Sequence, residues 1–262
     1  MSIQAILDVL EAIAPPHCQE SYDNAGLIVG NPATTCTGVL FSLDSTEAVL
    51  EEARRKGCNL VVAHHPIVFK GLKRFNGATY VERTVMQAIR QDIAVYAIHT
   101  NLDNVLYKGV NAKIAEKIGL QQTRILAPKQ GLPDIGAGLI GVLPTAMEAL
   151  DFLRHLKQAL RTECVRHTAP CGRAVQTVAV CGGAGSFLLP EALRAGADVF
   201  VTADFKYHEF FDADGRLIVA DVGHFESEQF TSELLFDIVS EKFPNFALHL
   251  VETQTNPVNY LL

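Results

Sequence analysis

No apolar run in this 262-residue chain approaches the roughly 20 residues that a membrane span needs, although hydrophobic residues make up 48% of it. That combination points to a well-cored protein off the membrane. The first residues, MSIQAILDVLEAIAPP, read as an amphipathic helix closed by Pro15 and Pro16. They lack the basic stretch and small-residue cleavage site of an export signal, so a cytoplasmic location is expected. The cysteines Cys18, Cys36, Cys58, Cys164, Cys171 and Cys181 contain no CxxC pair and read as free thiols of a reducing compartment. Positive charge is also scarce, the formal net charge being −7. A duplex nucleic-acid partner is therefore disfavoured, because phosphate neutralisation supplies most of such affinity. The compact basic group Lys70, Lys73 and Arg74 reads as a solvated loop.

What is present is a series of short β-branched runs alternating with helical patterns. They are VLFSLD (39–44), LVVAHH (60–65), IAVYAIHT (93–100), TVAVCGG (177–183), DVFVTAD (198–204) and LIVADVG (217–223). Runs of this kind are the signature of parallel strands buried on both faces, and the class is α/β. A single offset of 139 lays Val39 on Val178, Gly57 on Gly196, Leu60 on Val199 and His65 on Asp204. Both copies read helix, glycine cap, strand, polar loop, which implies two similar lobes related by internal duplication. Residues 121–140, with Pro and Gly and no helical period, are taken as the passage between lobes. The first lobe is then 1–125 and the second 126–244, and the closing strand and turn of 245–262 can rejoin either.

Ligands of open parallel sheets bind beyond the carboxyl ends of the strands. Three of those ends are polar here: His64 and His65 before Pro66; His99, Thr100, Asn101 and Asp103; Asp221, His224, Glu226 and Glu228. At a strand end, where Pro66 diverts the chain, neighbouring histidines can splay toward one cavity. His224 and Glu228 share a helix face if a helix starts near Gly223, and a carboxylate such as Asp103 can bridge two ions. Such a set suits metal-assisted hydrolysis by two ions about 3.5 to 4 Å apart.

The segments SYDNAGLIVG (21–30), VVAHHPIVF (61–69), YAIHTNLDNV (96–105), VTADFKYHEF (201–210) and DVGHFESE (221–228), with the closing TQTNPV, resemble the Nif-three-like family. Its members are commonly labelled GTP cyclohydrolase I type 2 homologues. The resemblance implies a dinuclear centre in the cleft between two α/β lobes, with His64, His65, Asp103, His224 and Glu228 as ligands. It also implies a homohexamer and the short family form without an inserted domain. The implied reaction is hydrolytic opening of the guanine imidazole of GTP with release of formate, so the expected partner is a small nucleotide-like substrate. Tyr22 stands where the family pattern has Trp.

Ring opening needs a proton for the leaving nitrogen, and His99 and His208 rank first as its carriers, ahead of Asp204 and Glu226. Glu226 is expected to face solvent, away from Glu228. CGGAGSF (181–187) is read as a tight turn, with a phosphate cradle as the competing reading. Asp23 and Asn24 are turn formers and Cys181 a small buried hydrophobe. The donor set suits Zn, Fe, Mn, Co or Ni equally, two divalent ions per chain. A non-catalytic metal-binding regulatory or chaperone-like protein is the alternative to a hydrolase.

Overall fold

In the computed structural model, which describes residues 1–261, the chain divides into two units. Unit 1 comprises Met1–Leu102 and Thr231–Pro257; unit 2 comprises Asp103–Phe230 and the residues from Val258 on. The strands in chain order are β1 (Gly26–Val29), β2 (Val39–Ser42), β3 (Leu60–Ala63), β4 (Ala94–Ala97), β5 (Gln121–Lys129), β6 (Leu132–Met147), β7 (Arg166–His167), β8 (Val175–Ala184), β9 (Val199–Ala203), β10 (Ile218–Asp221) and β11 (Leu248–Leu250). The helices are α1 (Ile3–Ile13), α2 (Glu47–Arg55), α3 (Tyr80–Arg90), α4 (Thr100–Asp103), α5 (Val110–Ile118), α6 (Ala149–Ala159), α7 (Leu189–Arg194), α8 (His224–Glu228) and α9 (Thr231–Lys242).

The sheet of unit 1 runs β1-β4-β3-β2-β11, with β2, β3, β4 and β11 parallel and β1 antiparallel at one edge. Every residue of β2, β3 and β4 is buried, which is why these strands carry continuous apolar runs rather than an alternation. Helix α1 buries Ile3, Ile6, Leu7 and Leu10, one stripe at helical spacing. Full burial of each such side chain is worth roughly 1.5–3 kcal/mol before chain entropy is counted. Helices α2 and α3 start at Thr46 and Thr79, whose hydroxyls accept from the amides of Val49 and Glu82.

The sheet of unit 2 runs β5-β6-β8-β9-β10-β7, in which β8, β9 and β10 are parallel. The duplication is visible in its ladder. Val39 pairs with Leu60 in unit 1 and Val178 with Val199 in unit 2, and Phe41 with Val62 matches Val180 with Val201, all at the offset seen in the sequence. The helix ends repeat as well. Gly57 (φ +70°) and Gly196 (φ +72°) are left-handed, and Cys58 N–H donates to Ala53 O at 2.9 Å as Ala197 N–H donates to Ala192 O at 3.0 Å. Both are Schellman closures, which satisfy helix carbonyls and turn the chain into the next strand.

The Pro- and Gly-bearing stretch 121–140 is not an irregular connector. It forms β5 and most of β6, an antiparallel hairpin at the edge of the second sheet, turning at left-handed Gly131. An edge position tolerates Pro128, and Gly136 approaches the backbone of Ala127 and Pro128 too closely for any side chain. The closing strand joins unit 1 alone, as β11 beside β2.

Candidate metal centre

In unit 1 the end of β3 delivers His64 and His65, and the end of β4 delivers His99. The amides of His64 and His65 still donate to Ser42 O (3.2 Å) and Leu43 O (2.9 Å), so the pair prolongs the ladder before Pro66 ends it. The rings of His64 and His65 lie 4.9 Å apart at 48°, and that of His99 is 5.2 Å and 5.5 Å from them. One ring nitrogen from each falls within 4.8 Å of the others, a grouping that could hold a metal ion. The neighbouring histidines thus converge as the sequence predicts.

Each of these rings is held at Nδ1 by an oxygen that can only accept. His64 Nδ1 meets Ile98 O at 2.8 Å, His65 Nδ1 meets Asp44 Oδ1 at 2.8 Å, and His99 Nδ1 meets Asp23 Oδ1 at 2.8 Å. The proton of the neutral ring therefore sits on Nδ1 and the lone pair on Nε2, the tautomer of a histidine that ligates through Nε2. Asp23 also accepts from the amide (3.0 Å) and hydroxyl (2.5 Å) of Thr100. Burial opposes its ionisation, but the hydrogen bonds from His99 and Thr100 prevail and hold it down to about 2. For Asp44 burial likewise raises and the His65 bond lowers, with a net shift below the ordinary carboxylate value.

In unit 2 helix α8 opens on His224 and closes on Glu228. Their spacing puts both on one face, and His224 Nε2 lies 3.2 Å from Glu228 Oε2. His224 Nδ1 is engaged by Asp204 Oδ2 at 2.7 Å. With the ring proton on that side, two lone-pair atoms face each other across 3.2 Å, a contact that a proton between them or a cation satisfies. Two donors each about 2.1 Å from one ion at angles of 90–110° stand roughly 3.0–3.4 Å apart, so the pair has the spacing of two ligands on one metal. Asp204 is left-handed (φ +57°), backbone strain spent in turning its carboxylate toward His224.

Asp103 ends α4, and its carbonyl accepts from Asn111 Nδ2 at 3.0 Å while Asn111 Oδ1 accepts from Gly182 N–H at 3.0 Å. Gly183 N–H donates to Ser227 Oγ (2.9 Å), which donates to His224 O (2.8 Å). The run CGGAGSF is thus the end of β8, docked against α8, followed by the start of a 3-10 turn at Ser186. A Cβ on Gly183 would stand 2.6 Å from Glu228 Oε1 and 3.2 Å from the His224 ring, so glycine is there to admit these side chains. Cys181 is buried as expected, and desolvation, then the charges of Asp103 and Glu228, push its thiol well above the usual range. The same charges would favour a cation.

Glu226 corrects the sequence reading. It is 7% exposed rather than solvent-facing, and its carboxylate meets the Tyr260 hydroxyl of the tail beside Gly223. Helix α8 is only five residues long and is covered on more than one side, so helical spacing alone misjudges it. His208 lies in the 3-10 segment Tyr207–Ala213, exposed, its ring against Tyr207 and stacked on Phe211, and it joins no metal-competent group among the described residues. The carboxylates Asp23 and Asp44 were not anticipated as supports. Asp44 closes the run VLFSLD just as Asp204 closes DVFVTAD, and that parallel is the signal that points to both.

The model of the Duf34/NIF3 (NGG1p interacting factor 3) family matches residues 1–257. The chain belongs to this family. Among its NIF3 relatives, the GTP cyclohydrolase 1 type 2 homolog of Lactococcus lactis is 32% identical over 265 residues, covering 98% of each chain. That of Clostridium perfringens is 31% identical over 229 residues, covering 87% of each. The crystal structure of a Bacillus cereus protein related to NIF3 is similar over 100% of this chain and 99% of its own, with a TM-score of 0.91 at 26% identity. No helix among the described residues of this NIF3 chain is long and apolar enough to cross a membrane.

Proposed function

We propose that the protein is a divalent-metal-dependent hydrolase in which His64, His65, Asp103, His224 and Glu228 hold two ions as one centre. The observation that carries the reading is the set of imidazoles fixed at Nδ1 by Ile98 O, Asp44 and Asp204, each thereby offering Nε2 as a donor. The 3.2 Å approach of His224 Nε2 to Glu228 Oε2 adds a pair with ligand spacing. Nitrogen and carboxylate donors fit Zn, Fe, Mn, Co or Ni. Bound there, the ions would supply Lewis acidity toward water and toward an electron-poor ring.

The relatives' printed name, GTP cyclohydrolase 1 type 2 homolog, guides the substrate. We take it to be a nucleotide-like purine, GTP first, whose imidazole ring is opened with release of formate. In that reaction His99 serves as the proton carrier: Asp23 holds its Nδ1 proton, so the Nε2 lone pair takes a proton from the attacking water and then passes it to the departing ring nitrogen. His208, with Tyr207 and Phe211 as its ring neighbours, has no comparable carboxylate support among the described residues and receives no step. The working assembly is a homohexamer in the cytoplasm.

The test is formate release from GTP by metal-loaded protein, with Asp103→Asn as control. Turnover in the wild type and a loss of at least about 100-fold in the variant are expected, the scale of a removed electrostatic partner. Equal rates in the two proteins would end the proposal. Elemental analysis of protein purified without chelators is expected to show near two ions per chain.

A further inference from the structure

We propose that Thr255 is a positioning residue for the His65 imidazole, acting through Asp44. The inference rests on the reading of His65 as a ligand. Strand β11 lies parallel to β2 in the register Leu248–Val39 to Leu250–Phe41, and Val251 N–H donates to Phe41 O at 3.0 Å. The tail therefore continues in the direction of β2 and passes the carboxyl end of that strand, just beyond which Asp44 sits.

A buried anchor holds it on that course. Glu52 of α2 is 1% exposed and accepts from Glu252 N–H (2.8 Å), Thr253 N–H (2.8 Å) and Thr253 Oγ1 (2.7 Å), with Lys56 Nζ at 2.8 Å. Two residues further on, Thr255 Oγ1 donates to Asp44 Oδ2 at 2.7 Å. The other oxygen of that carboxylate, Oδ1, accepts from His65 Nδ1 at 2.8 Å. A carboxylate gripped at one oxygen can turn about its Cβ–Cγ bond and carry the imidazole with it. Gripped at both, its plane is set, and so is the direction of His65 Nε2. The tail thus contains two threonine hydroxyls with different duties, that of Thr253 on the anchor and that of Thr255 on the ligand's support.

The experiment titrates full-length protein with Co2+, following its visible d–d bands, and with Zn2+ in competition with a chelator. Thr255→Val removes the hydroxyl at nearly constant volume. It is expected to weaken binding about 10-fold, the lower end of the loss for partners one step from a ligand, and to change the Co2+ bands. Thr255→Ser is expected to restore both. Thr253→Val is expected to lower the melting temperature while leaving affinity and spectrum as in the wild type. Wild-type affinity and bands in Thr255→Val overturn the proposal, as does equal weakening by Thr253→Val, because docking of the tail would then account for everything. His65→Ala separates this from the reading beneath it. Unchanged Co2+ binding there defeats the ligand assignment itself, whereas weakened binding in His65→Ala with none in Thr255→Val defeats only the positioning role. Should Thr255→Val not fold, Thr255→Ala, which also removes the hydroxyl, takes its place with the same expected loss.

Discussion

The histidines His64, His65, His99 and His224 all keep Nδ1 on an oxygen acceptor, one backbone carbonyl and three aspartates. The duplication shows how this was reached by different routes in the two units. The position that is His65 in one copy is Asp204 in the other, a proposed ligand in the first and the support of a proposed ligand in the second. Glycine completes the arrangement by leaving room. Gly183→Ala would set a Cβ 2.6 Å from Glu228 Oε1 at a left-handed residue (φ +61°), and metal affinity is expected to fall by at least about 10-fold in a Zn2+ titration. Undiminished affinity would show that the close packing of β8 on α8 does not position the donors. The three polar strand ends were legible in the sequence because they follow apolar runs, and the family resemblance chose the proposed ligands among them. Their supports were not, since Asp23 meets His99 across 76 residues and Thr255 meets Asp44 across 211, and no local pattern records such pairings.

Elements show the same division between what is local and what is not. The strands β2, β3, β4, β8, β9 and β10 were legible as apolar runs, and α1 as a stripe, because burial acts residue by residue. The hairpin of β5 and β6 was hidden, since β5 at the sheet edge and the start of β6 are largely exposed and admit the Pro and Gly that otherwise mark loops. The paired helix closures offer a controlled comparison. A Cβ at Gly57 or Gly196 meets nothing within 4 Å, so alanine at either costs only the left-handed backbone, about 1–2 kcal/mol by denaturant unfolding. A clear inequality between the two variants would mean that the closures are not energetically equivalent. Glu52 ties α2 to the tail and carries a pH dependence. Burial disfavours its charge, yet the bonds from Lys56, Thr253 and Glu252 win and lower it from 4.5 to about 2. A depressed carboxylate stabilises the fold in full above the unfolded value and loses that contribution as pH falls through the folded one. Between pH 5 and pH 2 the wild type is therefore expected to lose roughly 2–3 kcal/mol from this group. Glu52→Gln should be less stable at pH 7 and show a shallower decline, and parallel curves for the two proteins would refute the assignment.

At the scale of the whole molecule, the proposed homohexamer predicts a light-scattering mass six times the 28.5 kDa chain, and a monomer at micromolar concentration would exclude it. Tyr207, Phe211 and Phe187 of unit 2, exposed at 73%, 66% and 62%, are large apolar surfaces of the kind that association covers. Unit 1, meanwhile, takes its residues from both sides of unit 2 in the sequence, and β11 is the outermost strand of its sheet. During synthesis, residues 1–102 leave the ribosome with the β2 edge bare, and the partner for that edge follows only after all of residues 103–230 have been made. Domains ordinarily fold in the order of their synthesis, but here the sheet begun first stays open until β11 is made. Until residues 248–255 arrive, Asp44 lacks one of its two holds. A nascent or truncated chain that ends before β11 carries His64, His65 and His99 and still holds the Asp44 support of His65 loosely, so on the proposed ligand assignment metal loading waits for the tail.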